Sequence, residues 1–142
     1  MAQPSSTIMD VMTPRPTTLP ASASVLEAAN AMRDANIGDI VVTDDGKICG
    51  IITDRDVVVR AIAERRDPAK TKLADICSQD LTTVSPTDSL DHAVQLMRQK
   101  AIRRLPVVEN GRVVGIVSIG DLALERDPTS ALSDISAAPS NR

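Results

Sequence analysis

The 142-residue chain reads as an α/β (α+β) protein built from one β-α-β-β-α unit used twice. Three observations predict this. The second half lies over the first without a gap at an offset of about 65 residues. Each half carries a hairpin signal between two apolar runs, Asp44-Asp45-Gly46 and Glu109-Asn110-Gly111. Each half also carries an apolar stripe at helical spacing, Val25, Ala28, Ala29 and Met32 in one and Leu90, Ala93, Val94 and Met97 in the other.

One register holds along the whole unit. Asp10 meets Asp75, Thr17 and Thr18 meet Thr82 and Thr83, and Ser24 meets Ser89. Met32 meets Met97, Ile37 meets Ile102, Val42 meets Val107, Gly50 meets Gly115 and Asp56 meets Asp121, with Thr53 against Ser118 as a conservative pair. The predicted limits are 8–68 for the first copy and 73–130 for the second, between a loose start at 1–7 and a flexible tail at 131–142.

In the first copy a short helical turn over 8–12 stops at Thr13-Pro14, because a residue before proline avoids the α region. Residues 17–19 are a brief strand. Ser24 with Glu27 forms a capping box for a helix over 24–35, which ends where Asn36 and Gly38 tolerate left-handed dihedrals. Strands at 40–43 and 48–53 flank the Asp-Gly turn, and a helix over 54–66 follows. The second copy repeats the order: a turn at 73–77, a brief strand at 82–84, a helix over 89–100, strands at 105–108 and 112–118, and a helix over 120–126. Residues 131–135 allow one further helical turn. A unit of about 50 residues buries too little surface to stand alone, so the two copies are expected to share a core as a pseudo-two-fold pair with clefts between them.

Composition limits the function. The chain has no Phe, Tyr or Trp, so its core is aliphatic and it offers no aromatic platform for single-stranded nucleic acid. A net charge of -3 has the wrong sign for wrapping nucleic acid or adhering to anionic lipid. No apolar run approaches the about 20 residues of a membrane span, and the N-terminus lacks the features of a signal peptide, so the cytoplasm is the expected location. Cys49 and Cys77 form no metal-ligand pattern, and Cys49 reads as a small core residue. His92 reads as a surface residue, and the methionines as core filler or a greasy dimer contact.

Chemistry concentrates where the last strand of each copy runs into a helix. A helix start exposes unpaired N–H groups and a positive dipole end, which suit a phosphate. Thr53 and Ser118 add hydroxyls there, and Asp56 and Asp121 follow one turn later, where a carboxylate can hold both hydroxyls of a ribose. Ile52 and Val117 can flank a purine. The same Thr-x-x-Asp pattern also serves as a plain helix cap, and duplication copies caps as readily as sites.

The repeat resembles the CBS domain, named for cystathionine β-synthase, and the chain is similar to a tandem pair, a stand-alone Bateman module. The resemblance covers about residues 8–126. It rests on Val-Met-Thr-Pro at 11–14, Gly-Ile-Ile-Thr-Asp-Arg-Asp at 50–56, and the hairpin Leu-Pro-Val-Val-Glu-Asn-Gly-Arg-Val-Val-Gly-Ile-Val-Ser at 105–118. It implies a non-catalytic regulatory module that binds AMP, ADP, ATP, S-adenosylmethionine or NAD as a regulatory ligand in clefts between the repeats. No other cofactor, metal or nucleic acid is implied. The family's ribose carboxylate falls on Asp56 and Asp121, and its phosphate-side hydroxyl on Thr53 and Ser118. Its adenine pocket falls on the brief first strands, with Thr18 and Thr83, and on the backbone entering each hairpin, Ile37 to Ile40 and Ile102 to Pro106. Its phosphate-reaching basic residues fall on Arg103 and Arg104; the first copy departs here with Gly38 and Asp39. The resemblance also implies a homodimer and a separate effector protein. The alternatives are an interaction scaffold with vestigial clefts and, least favoured, an enzyme.

Overall fold

The computed structural model describes residues 6–77 and 81–126. Of the loose start expected at 1–7, residues 1–5 lie outside the described residues, as do the tail expected at 131–142 and the extra turn at 131–135. Thr7 does not belong to a loose end: it caps the first helix, its N–H donating to Asp10 Oδ2 at 2.8 Å. The elements in chain order are α1 (Ile8–Val11), β1 (Thr13–Pro14), β2 (Thr18–Pro20), α2 (Val25–Ala35), β3 (Asp39–Asp44), β4 (Lys47–Thr53), α3 (Asp54–Asp56), α4 (Leu73–Ile76), α5 (Leu90–Lys100), β5 (Arg104–Glu109), β6 (Arg112–Ser118) and α6 (Ile119–Arg126).

The chain forms two compact units: one is Pro16–Leu81, the other the described parts of Met1–Arg15 and Thr82–Arg142. In the first, β2 runs parallel to β3 and β3 pairs antiparallel with β4. In the other, β5 and β6 form the matching hairpin, and β1 adds to the far side of β6. Both hairpins turn on two residues with positive φ, Asp45-Gly46 and Asn110-Gly111, the dihedrals of a type I′ turn. Both carry a register irregularity at the same place, after Val42 and after Val107.

Each sheet is covered by its long helix. Ser24 Oγ accepts from Glu27 N–H at 3.1 Å and Ser89 Oγ from His92 N–H at 3.1 Å, so both helices start on a serine cap. Val25, Ala28 and Met32 are buried on one, Leu90, Ala93 and Met97 on the other. The aliphatic cores centre on Ile40, Val42 and Ile52 in the first unit and on Leu105, Val107 and Val117 in the other.

The short helices are exchanged relative to the linear repeat. α1 precedes the first copy in sequence, yet Ile8 is fully buried in the core of the second. α4 precedes the second copy, yet Leu73 and Ile76 fill the core of the first. The docking bonds correspond one for one. Ile8 N–H donates to Asp88 O at 3.0 Å and Leu73 N–H to Ala23 O at 2.9 Å; Met9 N–H donates to Pro86 O at 3.0 Å and Ala74 N–H to Ala21 O at 3.1 Å.

Two elements differ from the sequence reading. The brief strand expected at 82–84 is a single parallel bridge between Val84 and Val107. In the first unit Val41 N–H donates to Thr17 O at 3.0 Å; Pro106 stands in the place of Val41 and has no N–H to give. The helix expected over 54–66 is one α-turn followed by a π-helical stretch, Val57–Ile62, closed by Ala63 N–H to Val58 O at 2.8 Å. Val57, Val58 and Val59 are three consecutive β-branched residues, which lowers the α-helical propensity of this turn.

β1 approaches β6 closely at Gly115. A Cβ there would meet Met12 Sδ at 2.5 Å and the Thr13 carbonyl oxygen at 2.9 Å. Gly115→Ala is therefore expected to lower stability by about 1–3 kcal/mol in urea denaturation. An unchanged midpoint would mean that the segment before residue 16 does not dock on β6.

Candidate functional site

The two strand-to-helix junctions have one local architecture. At the end of β4, Thr53 Oγ1 accepts from Asp56 N–H at 3.2 Å, while Asp56 Oδ2 accepts from Thr53 N–H at 2.8 Å and from the Thr53 hydroxyl at 3.0 Å. At the end of β6, Ser118 Oγ accepts from Asp121 N–H at 3.1 Å, and Asp121 Oδ2 accepts from Ser118 N–H at 2.8 Å. Each is a reciprocal capping box, so the plain-cap role is realised at both places. A carboxylate offers about four lone-pair sites, so a cap does not exhaust it. The first is more heavily used: Arg60 Nε lies 3.6 Å from Asp56 Oδ1, and Arg60 Nη1 donates to the Ile76 carbonyl at 3.2 Å. The position matching Arg60 in the second copy is Glu125.

The strand entering each hairpin lies directly against its junction. Arg104 faces Ser118 across β5 and β6, and the Arg103 carbonyl accepts from Ile119 N–H at 2.9 Å. In the first unit Asp39 faces Thr53, and the Gly38 carbonyl accepts from Asp54 N–H at 3.0 Å. Arg103 and Arg104 are thus brought to the Ser118 and Asp121 junction, with Arg103 exposed and Arg104 half-buried. Arg60 and Asp54 are absent from the sequence-derived site. The spacing of Asp56 and Arg60, four residues apart on a helix, was a readable signal for the ion pair.

The remaining candidates divide by burial. Thr18 is exposed on β2 and pairs with Val41; Thr83 is half-buried beside the Val84 bridge. Ile40 is fully buried in the core and Pro106 is buried, so neither side chain faces solvent. The Pro106 carbonyl already accepts from Val84 N–H at 3.0 Å. Ile37 packs against the first core. Ile102 lines a cavity of about 300 Å³ beside α5 and α6, together with Met97, Arg98, Ile119 and Leu122.

His92 lies on the surface, 3.8 Å from Asp88, as the sequence implied. Met32 and Met97 are buried, whereas Met9 is exposed. Cys49 and Cys77 belong to the first unit and both are free thiols. Burial pushes both thiols up from their ordinary pKa; the neighbouring Cys49 adds to the effect at Cys77, and Asp44 adds to it at Cys49. Among the described residues no group of three or more His, Cys, Asp or Glu is placed to hold a metal ion, and no helix is long and apolar enough to cross a membrane.

Comparison with known proteins follows the linear repeat. The family model for the CBS domain matches twice, over residues 8–62 and 73–126. The CBS domain-containing protein YhcV of Bacillus subtilis is 39% identical over 135 residues, covering 92% of this chain and 96% of that protein. Hypoxic response protein 1 of Mycobacterium tuberculosis is 29% identical over 119 residues, covering 83% of each chain. A solved CBS domain pair of the protein MJ0100, in complex with 5′-methylthioadenosine and S-adenosyl-L-methionine, superposes with a TM-score of 0.79. It is 29% identical and covers 89% of this chain and 100% of that one.

Two outcomes follow from the junctions and the thiols. Asp56→Ala and Asp121→Ala are each expected to lower stability by about 1 kcal/mol, the worth of a cap, in urea denaturation without ligand. A loss of 4 kcal/mol or more, on the order of a broken buried network, would contradict a cap of this exposure. The folded state holds thiol protons that the unfolded chain releases. The stability this contributes is complete below the ordinary thiol pKa of about 8.5 and falls as pH rises above it. Wild-type stability should therefore drop between pH 8 and 10 more steeply than that of Cys49→Ala/Cys77→Ala, and parallel curves would exclude the effect.

Proposed function

The chain belongs to the CBS domain family, whose pairs are regulatory modules, and on that premise we propose that it is a non-catalytic cytoplasmic sensor of an adenosine compound. The ligand is AMP, ADP, ATP, S-adenosylmethionine or NAD, held at the strand-to-helix junctions. One observation carries the reading: a hydroxyl and a carboxylate recur in the same reciprocal capping arrangement at the end of the last strand of both copies. In the second copy a basic residue lies in register beside them. In this reading Asp56 and Asp121 receive the ribose hydroxyls, Thr53 and Ser118 face the 5′ side, and Arg103 and Arg104 meet phosphate. The backbone from Ile37 to Ile40 and from Ile102 to Pro106, with Thr18 and Thr83, borders the adenine. The ligand-bound CBS pair of MJ0100 supports an adenosine ligand.

The protein works as a homodimer in this reading, and exposed apolar side chains at Leu26, Val58 and Ile62 are available for that contact. Its output passes to an effector protein, because a ligand shifts a conformational equilibrium only by its differential affinity for the two states. A second reading, an interaction scaffold, is favoured by the closure of both capping boxes, which accounts for Asp56 and Asp121 without any ligand.

Thermal unfolding separates the two. AMP at a hundredfold excess over its dissociation constant should stabilise a binder by about 2.7 kcal/mol, and Asp121→Ala should remove the gain. If AMP, ATP, S-adenosylmethionine and NAD all leave the unfolding curve in place at millimolar concentration, the scaffold reading stands instead.

A further inference from the structure

The two units differ on the face formed by the long helix and the helix that follows the last strand. In the second unit α5 and α6 leave a hollow of about 300 Å³, walled by Met97, Ile102, Ile119, Leu122 and Ala123, with the exposed Arg98 in its lining. Interiors seldom hold a void much larger than one water, so this is a groove and not a packing defect. In the first unit the matching face carries bulk instead. Val58 stands where the second unit has Ala123, and Asp54 where it has Ile119. Val58, Val59 and Ile62 are exposed together on the π-helical turn, three of the seven large apolar side chains exposed among the described residues. Apolar surface concentrated in this way marks a place of contact. The charges differ as well. Arg33, the counterpart of Arg98, donates to Asp34 at 3.0 Å, whereas Arg98 is followed by Gln99.

We infer that the occupant of the hollow is a second copy of this chain: the turn carrying Val58 and Ile62 in the first unit of one copy enters the hollow between α5 and α6 in the second unit of its partner. The inference rests on the homodimer proposed above and is independent of any ligand. The matched positions diverge in a complementary sense. Val58 is bulk where Ala123 leaves space, and Asp54, exposed four residues before Val58, is acidic where the hollow offers Arg98. Contact between like faces would set hollow against hollow, and a void forfeits the contacts of its lining. Contact between unlike faces fills it and takes apolar surface of both copies out of water. Asp54 against Arg98 at the rim then fixes the direction of docking, the part that rim charges play. Such a contact is heterologous; each copy gives one turn and receives one, and this reciprocal use closes a dimer.

Sedimentation of the full chain over a range of concentrations, without ligand, tests this. The wild type should be a dimer. Val58→Lys/Ile62→Lys, which spoils the turn, and Ala123→Lys, which plugs the hollow, should each weaken it by about tenfold or more. Mixed together, the two variants should associate, because one keeps an intact hollow and the other an intact turn; a mixture that associates also shows that both are folded. Arg98→Glu, a change of exposed charge alone, should weaken the dimer by about fivefold, and Asp54→Arg added to the same chain should recover the loss. A wild-type dimer that the lysine variants leave as tight as before keeps the homodimer and overturns the inference. So does a mixture that stays monomeric, the result expected of contact between like faces, or an Asp54→Arg/Arg98→Glu chain no tighter than Arg98→Glu. A wild type that is monomeric at every concentration leaves the hollow to residues 127–142 or to another protein, and removes the homodimer and the inference together.

Discussion

Ile8 and Leu73 occupy equivalent places in two aliphatic cores, and neither belongs in sequence to the copy whose core it fills. A β-α-β-β-α piece of about 50 residues with no aromatic side chains has little apolar area to bury. A short helix brought from outside the repeat supplies part of what is missing. Once Ile8 and Leu73 are seated, the remaining architecture has a fixed base. Their N–H groups bond to Asp88 and Ala23, just before the serine caps that start α5 and α2, so the borrowed helices and the long helices are aligned together. β1 then follows α1 onto the edge of β6, where the absence of a side chain at Gly115 lets the backbones meet.

That exchange has a functional side. In the first unit the chain leaves its hairpin through the strand-to-helix junction and leaves the unit through the borrowed helix α4, and Arg60 links the two. It spans Asp56 of the junction and the Ile76 carbonyl at the end of α4. The junction of the first copy is thus tied to the segment that continues into the second copy. The π-helical turn that carries Arg60 belongs to the first copy, while α6 in the second is an α-helix.

Much of the fold was legible in the residues because it depends on local chemistry. The hairpins follow from Asp45-Gly46 and Asn110-Gly111, whose positive φ values an I′ turn requires. The long helices follow from the serine caps and the apolar stripe. The junctions were legible as Thr-x-x-Asp and Ser-x-x-Asp, and both caps form. The reduced strand at Val84 was not foreseen, although its cause is in the sequence. Pro106 removes an N–H whose importance shows only when Val41 is seen bonding to Thr17. The π-helical turn was hidden because the apolar spacing of Val57, Val58, Ala61 and Ile62 suits an α-helix.

The sequence by itself determined that one unit is used twice, where its turns and caps lie, that it resembles a CBS pair, and that Arg103 and Arg104 have Gly38 and Asp39 as counterparts. These are properties of residue type and spacing, and they survive without knowing which elements touch. Only the tertiary structure decided that α1 and α4 serve the copies they do not precede, because that depends on which core has room for Ile8 and Leu73. It also set Asp39 against Thr53 and Arg104 against Ser118, and pressed the Asp54 carboxylate over Gly38. Those pairs lie 14 or 16 residues apart in sequence, and only the hairpin register, a product of strand pairing, brings them together.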